Sequence, residues 1–221
     1  MAELLSVATL LRVLEGVGVL LFVALVSIFF AIIGGLVMGR LMIVKSRFVQ
    51  YLCKFFLESV RIVPLIAWLF IVYYGIPSEF DVHIGSITCG IIVFSMWGIA
   101  EMGDLVRASI LSIPKHQRES ALALGFSMWQ IEIYIIIPQA LKALIPSSIN
   151  LFGRIIKTTS LLPLIGVVEI LKVGQQLIEV IGRYDTNVNF IVYGAILVIY
   201  FILCYPFSYI GSMLEKRFIT Q

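Results

Sequence analysis

The sequence predicts an all-α membrane protein of about five transmembrane helices, and three observations carry that expectation. Of 221 residues, 61% are hydrophobic and 13% charged, with a mean hydropathy of +1.07; an ordinary soluble domain has roughly a quarter of its residues charged. The apolar residues gather into runs long enough to cross a hydrocarbon core about 30 Å thick at about 1.5 Å per residue. The Lys and Arg residues lie dispersed between those runs, so a net charge of +3 is no nucleic-acid footprint. A water-soluble globule is excluded, and residues 1–221 read as a single transmembrane domain with no separate folded module.

Span one, residues 16–39, is charge-free between Glu15 and Arg40. It exceeds a signal-peptide core of about 7–15 residues and should stay as an anchor. Span two lies near 55–75 and span three at 84–103. Span four, 143–168, is apolar at both ends but holds Arg154 and Lys157 near its middle. Span five, 188–213, sits inside the uncharged run Thr186–Leu214.

Five spans put the termini on opposite sides, and the Lys/Arg bias selects which side is which. Arg40, Lys45, Arg47 and Lys54 in the first loop share a side with Arg107, Lys115, Arg118 and Lys142, and with Lys216 and Arg217 in the tail. Arg12, Lys172 and Arg183 remain for the other. The N-terminus is expected outside and the C-terminus in the cytoplasm. Cys53, Cys89 and Cys204 show no C-x-x-C spacing and read as small hydrophobes.

Residues 104–142 are the one sizeable cytoplasmic segment, between spans three and four. Pro114 suits a first helical turn, Lys115–Leu124 is rich in helix formers, and Gly125 offers the left-handed residue that ends a helix. Ser127 with Gln130 reads as a capping box opening a second helix, Met128–Ile137, which Pro138 should kink or end. On composition alone the first helix reads as an interfacial anchor in the headgroups.

Spacing adds a resemblance. Glu119-Ser120-Ala121, three residues, Gly125, nine residues, and Ile135-Ile136-Ile137-Pro138 resemble the E-A-A-x-x-x-G-x(9)-I-x-L-P signature of permease subunits in bacterial ATP-binding-cassette importers. Asp104–Arg107, Ser112–Gln117, Pro138–Ala140, Pro64–Ile66, Lys157–Leu161 and Ile165–Glu169 are similar to the polar amino-acid uptake branch. Ser120 and Ile137 replace the usual Ala and Leu, His116 stands where Gly is common, Thr158 where Asp is frequent, and no Gly follows Arg61.

The resemblance implies a coupling helix, residues about 114–125, docked in a groove of a cytoplasmic ATPase subunit. Its residues are Glu119, Ser120, Ala121, Leu122, Ala123 and Gly125, with the small Ala121, Ala123 and Gly125 allowing close approach and Glu119 a polar anchor. It further implies a second permease subunit, identical or homologous, an extracytoplasmic amino-acid-binding protein, and a bacterial inner-membrane location with membrane lipid around the chain. The chain itself is expected to bind no cofactor, ATP and Mg belonging to the partner ATPase. Consistent with that, no G-x-x-x-x-G-K-[ST] occurs.

A cation at mid-span costs about 2.5–3.5 kcal/mol on insertion scales, so Arg154 and Lys157 need a polar setting. Asn150, Arg154 and Lys157 are spaced to share one helix face, which suits a water-accessible pathway where these residues, with Thr158, Thr159, Ser160 and Glu101, meet a passing amino acid. Structural ion pairing of the two cations with Glu101 and Asp104, or with Glu169, is the competing reading. Pro146 and Pro163 bracket the segment as in discontinuous transporter helices.

Gly35 to Gly39 forms a G-x-x-x-G, usually incidental packing and at most a dimer seam. Glu169–Asp185, with Leu171, Gln175, Ile178 and Ile181 at near-helical spacing, reads as an interfacial or gating helix facing a binding protein, or as a plain connector. His83 and His116 stand alone, so no metal site is expected. The expected function is therefore a non-catalytic permease subunit of an importer of polar amino acids. An intramembrane enzyme using Arg154, Lys157 and Glu101, or a proton-coupled secondary transporter, is the alternative.

Overall fold

A computed structural model describes residues 7–181 and 188–219. Arg183, Asp185 and Thr186, which enter the sequence reading, lie outside the described residues. Those described form helices and no strand: α1 (Val7–Leu41), α2 (Arg47–Ile62), α3 (Leu65–Phe80), α4 (Ser86–Leu111), α5 (Lys115–Ala123), α6 (Met128–Ile165), α7 (Ile170–Ile181) and α8 (Val188–Ile219). Among them α1, α4, α6 and α8 are long and apolar enough to span a membrane, and α2 with α3 makes a fifth candidate interrupted by a break. The all-α fold with about five spans is thus as expected.

Span two differs in detail. Residues 55–75 are not one straight helix, because Pro64 lacks an N–H and keeps Val63 out of the helical region. The chain breaks there, and Pro64 restarts it as the N-cap of α3 at φ −55°, ψ 136°.

Pro138 does not end its helix either; α6 continues through it. A wide π turn over Glu132–Ile136 comes immediately before, and another over Ile71–Gly75 precedes Pro77 in α3. A proline ring collides with the carbonyl four residues back. Those carbonyls, on Tyr134 and Tyr73, lie inside the widened turns, which explains how both helices tolerate an interior proline.

The chain divides into two compact units, residues 1–29, 63–95 and 153–206, and residues 30–62, 96–152 and 207–221. In the first, Val23, Leu69, Cys89, Phe94 and Leu162 form a fully buried core. Gly90 leaves the space that Leu162 fills: a Cβ there would lie 2.4 Å from Leu162 Cδ2. Helix α7 buries Ile170, Val173, Gly174, Leu177 and Ile181. Of the residues expected on one face, Ile181 lies in that stripe, whereas Leu171, Gln175 and Ile178 are each one residue beyond a buried position and only half-buried.

In the second unit, α1 closes on α4 through glycines. A Cβ on Gly35 would lie 2.4 Å from Met102 Cβ, and one on Gly39 2.5 Å from Val106 Cβ. The G-x-x-x-G is therefore a seam within this chain. Leu57 and Val60 of α2 pack with Met38, Met42 and Ala100. Cys89 and Cys204 are buried and Cys53 half-buried, all as free thiols.

Candidate functional site

Two groups of expected site residues lie on different helices, and the first is α5 with the turns on either side. Pro114 is its N-cap. At the other end the Phe126 N–H donates to Ala121 O at 3.1 Å and the Gly125 N–H to Leu122 O at 3.0 Å. This pair of bonds is a Schellman motif with Gly125 in the left-handed position, φ +84°. Ser127 then caps α6: its Oγ accepts from the Gln130 N–H, and its own N–H donates to Gln130 Oε1 at 2.9 Å. Helix, sharp turn and new helix follow one another without a loose residue.

Helix α5 is seated by both apolar and ionic contacts. Ala121 is 3% exposed and packs with Ile131 and Ile136 against Ile110, Ile113 and Ile135. Arg118 reaches one oxygen of Glu132 at 2.8 Å, while Arg40, in the last turn of α1, reaches the other at 3.0 Å. Glu119, Ser120, Leu122, Ala123 and Gly125 all remain exposed. Ala121, expected at the docking face, is turned the other way, into the chain's own core.

Next to the turn, Leu122, Leu124, Phe126, Met128 and Trp129 are exposed apolar side chains. Five such groups around a rigid corner make a surface suited to burial against another protein.

The second group lies on α6. In the first unit Arg154 and Lys157 are exposed. Thr158 Oγ donates to Arg154 O at 2.8 Å, Thr159 Oγ to Ile156 O at 2.7 Å, and Ser160 Oγ to Lys157 O at 2.9 Å. These bonds occupy carbonyls where α6 tightens into a 3-10 stretch, Thr159–Ile165. With their protons engaged, the hydroxyls of Thr158 and Ser160 have acceptor lone pairs left to offer, while Thr159 is buried. Gly166 at φ +82° ends the stretch by a second Schellman pair, Val167 N–H to Leu162 O and Gly166 N–H to Pro163 O.

In the second unit Asn150, exposed on the same helix, packs its amide against the bare Cα of Gly211, where a Cβ would lie 2.7 Å from Asn150 Oδ1. Glu101 is held by Arg61 at 2.7 Å; Asp104 is held by Arg61 at 2.8 Å and by Arg107 at 2.7 Å. Arg61, two residues before the break at Val63, thus ties the end of α2 to α4. Sequence reading missed this role, and it missed Glu132.

Glu169 is fully buried in the first unit. As the residue before α7, it accepts from the N–H groups of Leu171 at 2.8 Å and Lys172 at 3.1 Å, and from the Tyr200 hydroxyl at 3.1 Å. Burial pushes its carboxyl up from the usual range, with the three hydrogen bonds opposing. Among the described residues no group of His, Cys, Asp and Glu is placed to hold a metal ion.

Residues 31–220 match the family model described as "Binding-protein-dependent transport system inner membrane component". The chain is 30% identical over 205 residues to the probable amino-acid permease protein YxeN of Bacillus subtilis, covering 92% of this chain and 89% of that one. It is 29% identical to the glutamine transport system permease protein GlnP of Escherichia coli, covering 92% and 91%. Among solved structures, an amino acid ABC transporter crystallised with histidines superposes with a TM-score of 0.84 at 24% identity, covering 93% of this chain and 94% of that one. The MetNI methionine ABC transporter superposes at 0.76 and 21% identity, covering 97% and 99%.

Proposed function

The chain belongs to the binding-protein-dependent transport system inner membrane component family, and from that premise we propose how it works as the permease subunit of an ATP-driven amino-acid importer. It is a non-catalytic inner-membrane subunit, and nucleotide hydrolysis belongs to a separate one. The relatives named for glutamine and for unspecified amino acids favour a polar amino acid as the solute.

One observation carries the coupling step: α5 is closed by Gly125, seated through Ala121, and clamped by Arg118 to Glu132. A segment fixed in this way moves as a rigid body, whereas a flexible loop would absorb an applied displacement. Glu119, Ser120, Leu122, Ala123 and Gly125 form its outward face toward a cytoplasmic ATPase, and ATP with Mg is held by that partner. This puts the N-terminus outside and the C-terminus inside, in keeping with the Lys/Arg bias. A second permease subunit, identical or homologous, completes the pathway, and an extracytoplasmic binding protein delivers the solute.

Arg154 and Lys157 line that pathway, offering charge to a carboxylate, while the Thr158 and Ser160 oxygens suit an ammonium group. The test is reconstitution with a cognate ATPase and binding protein. Vanadate-sensitive amino-acid uptake that requires all components is expected; uptake by the chain alone would overturn the reading.

A further inference from the structure

We propose that the second unit carries a binding site for an anionic phospholipid, built from a cationic pocket opening onto an apolar groove. The pocket, about 530 Å³, gathers Arg40, Lys45, Lys115 and Arg118 around the carboxylate of Glu132. The groove, about 350 Å³, runs beside it and is lined by Leu36, Ile133, Ile137, Leu141 and Leu144, with Trp129. Arg40, Ile110 and Glu132 line both, so the two cavities adjoin. A ligand filling them must be negative at one end and hydrocarbon at the other.

The setting fits a lipid. Arg40, in the last turn of α1, follows the exposed apolar residues Phe30, Ile33, Leu36 and Val37 of that helix. On α6, Ile133, Ile137, Leu141 and Ile145 recur every fourth residue and are each about 40% exposed. From Ile133 to Leu144 the groove follows the helix for about 16 Å at about 1.5 Å per residue, room for an acyl chain lying along the span.

Charge selects the headgroup. Glu132 neutralises part of the pocket, yet four cations against one carboxylate leave an excess that a zwitterionic headgroup cannot match. Arg40 and Arg118 each have further N–H donors beyond the one given to Glu132. A lipid phosphate can therefore join the two guanidinium groups without displacing the carboxylate. Basic pockets between membrane helices at the cytoplasmic side hold anionic headgroups by this chemistry. The ligand class is thus a phosphatidylglycerol-like or cardiolipin-like lipid, bound where α5 meets α1 and α6.

The test is native mass spectrometry of the assembled permease–ATPase complex after exchange with phosphatidylglycerol or phosphatidylcholine of matched chains. Preferential retention of phosphatidylglycerol is expected, lowered about five-fold for each of Arg40→Gln and Lys45→Gln. The charge-matched pair Lys216→Gln and Arg217→Gln should leave it unchanged. Equal retention of both lipids by the unmutated complex, which needs no variant to fold, would overturn the proposal. So would loss of retention in the tail control equal to that in the pocket variants. Displacement of the lipid by glycerol phosphate alone would make this a soluble-phosphate site, and its exclusion on ATPase binding a protein interface; either result rejects the lipid.

Discussion

Arg118 and Glu132 stand 2.8 Å apart, joining the outward helix α5 to the first turns of α6. The Arg118 side chain is 44% exposed, so the pair is worth at most about 1 kcal/mol in stability. Its consequence is geometric: with Arg40 on the other oxygen, it fixes the angle of α5 against two spans at once.

Glu132→Gln should therefore leave the complex assembled but loosen the transmission of movement. Solute-stimulated ATP hydrolysis is expected to persist while uptake per ATP falls several-fold. Arg118→Gln should do so to a smaller extent, since it leaves Arg40 on Glu132, and the double variant should be no worse than Glu132→Gln alone, which already removes the shared pair. Additive losses in the uptake-to-hydrolysis ratio would show that the two residues act separately.

Gly125 makes a prediction of a different kind. A Cβ at this position would meet no other atom within 4 Å, so any cost comes from φ +84° alone. A non-glycine residue in the left-handed region loses about 1–2 kcal/mol, with Asn penalised least. Uptake should fall in the order Gly, Asn, Ala, Val, with membrane insertion unchanged across the series. An Ala variant as active as the parent would mean that the Schellman turn does not set the direction of α5.

The corner at Gly125 was legible in the sequence because everything that makes it is local. Gly125, Ser127 and Gln130 lie within six residues, and each has one strong conformational preference. The break at Pro64 was open to the same reasoning, but the charge-free run that begins at Ile62 and continues past Pro64 outweighed a single proline in placing span two. The wide turns before Pro77 and Pro138 have no residue signature beyond the prolines they accommodate. Glu132 could not be read as a clamp, since Arg40 lies 92 residues away and nothing in the intervening chain specifies that pairing. The polar stripe on α6 was visible as spacing. The commitment of the Thr158, Thr159 and Ser160 protons to backbone carbonyls was not, as it depends on where the α-helix tightens.

Glu169 links the fold to pH. Its carboxyl is raised by burial, so the folded state binds more protons than the unfolded one between the usual carboxyl range and the raised value. Stability then falls as pH rises through that window. Glu169→Gln removes the titration while retaining an oxygen for the Leu171 and Lys172 N–H groups. The thermal midpoint of the variant minus that of the parent should therefore become more positive with rising pH. A difference that shrinks on moving upward from acid conditions would mean that the hydrogen bonds outweigh the burial.

Lys157 separates transport from architecture. It is exposed within a membrane-length helix, a setting that costs about 2.5–3.5 kcal/mol against lipid, so it requires water or a partner subunit beside it. If it meets the solute carboxylate, Lys157→Gln removes a charge-assisted hydrogen bond worth about 1.5–3 kcal/mol, and uptake at low solute concentration should drop about ten-fold or more. Membrane protein level should hold or rise, because a mid-span charge is gone. Lys157→Arg keeps the charge and should retain more activity than Gln, with a raised half-saturation concentration reflecting the wider headgroup. A structural cation behaves oppositely: its Gln variant would lose folded protein in proportion to uptake, with the half-saturation concentration of the remaining transporters unchanged.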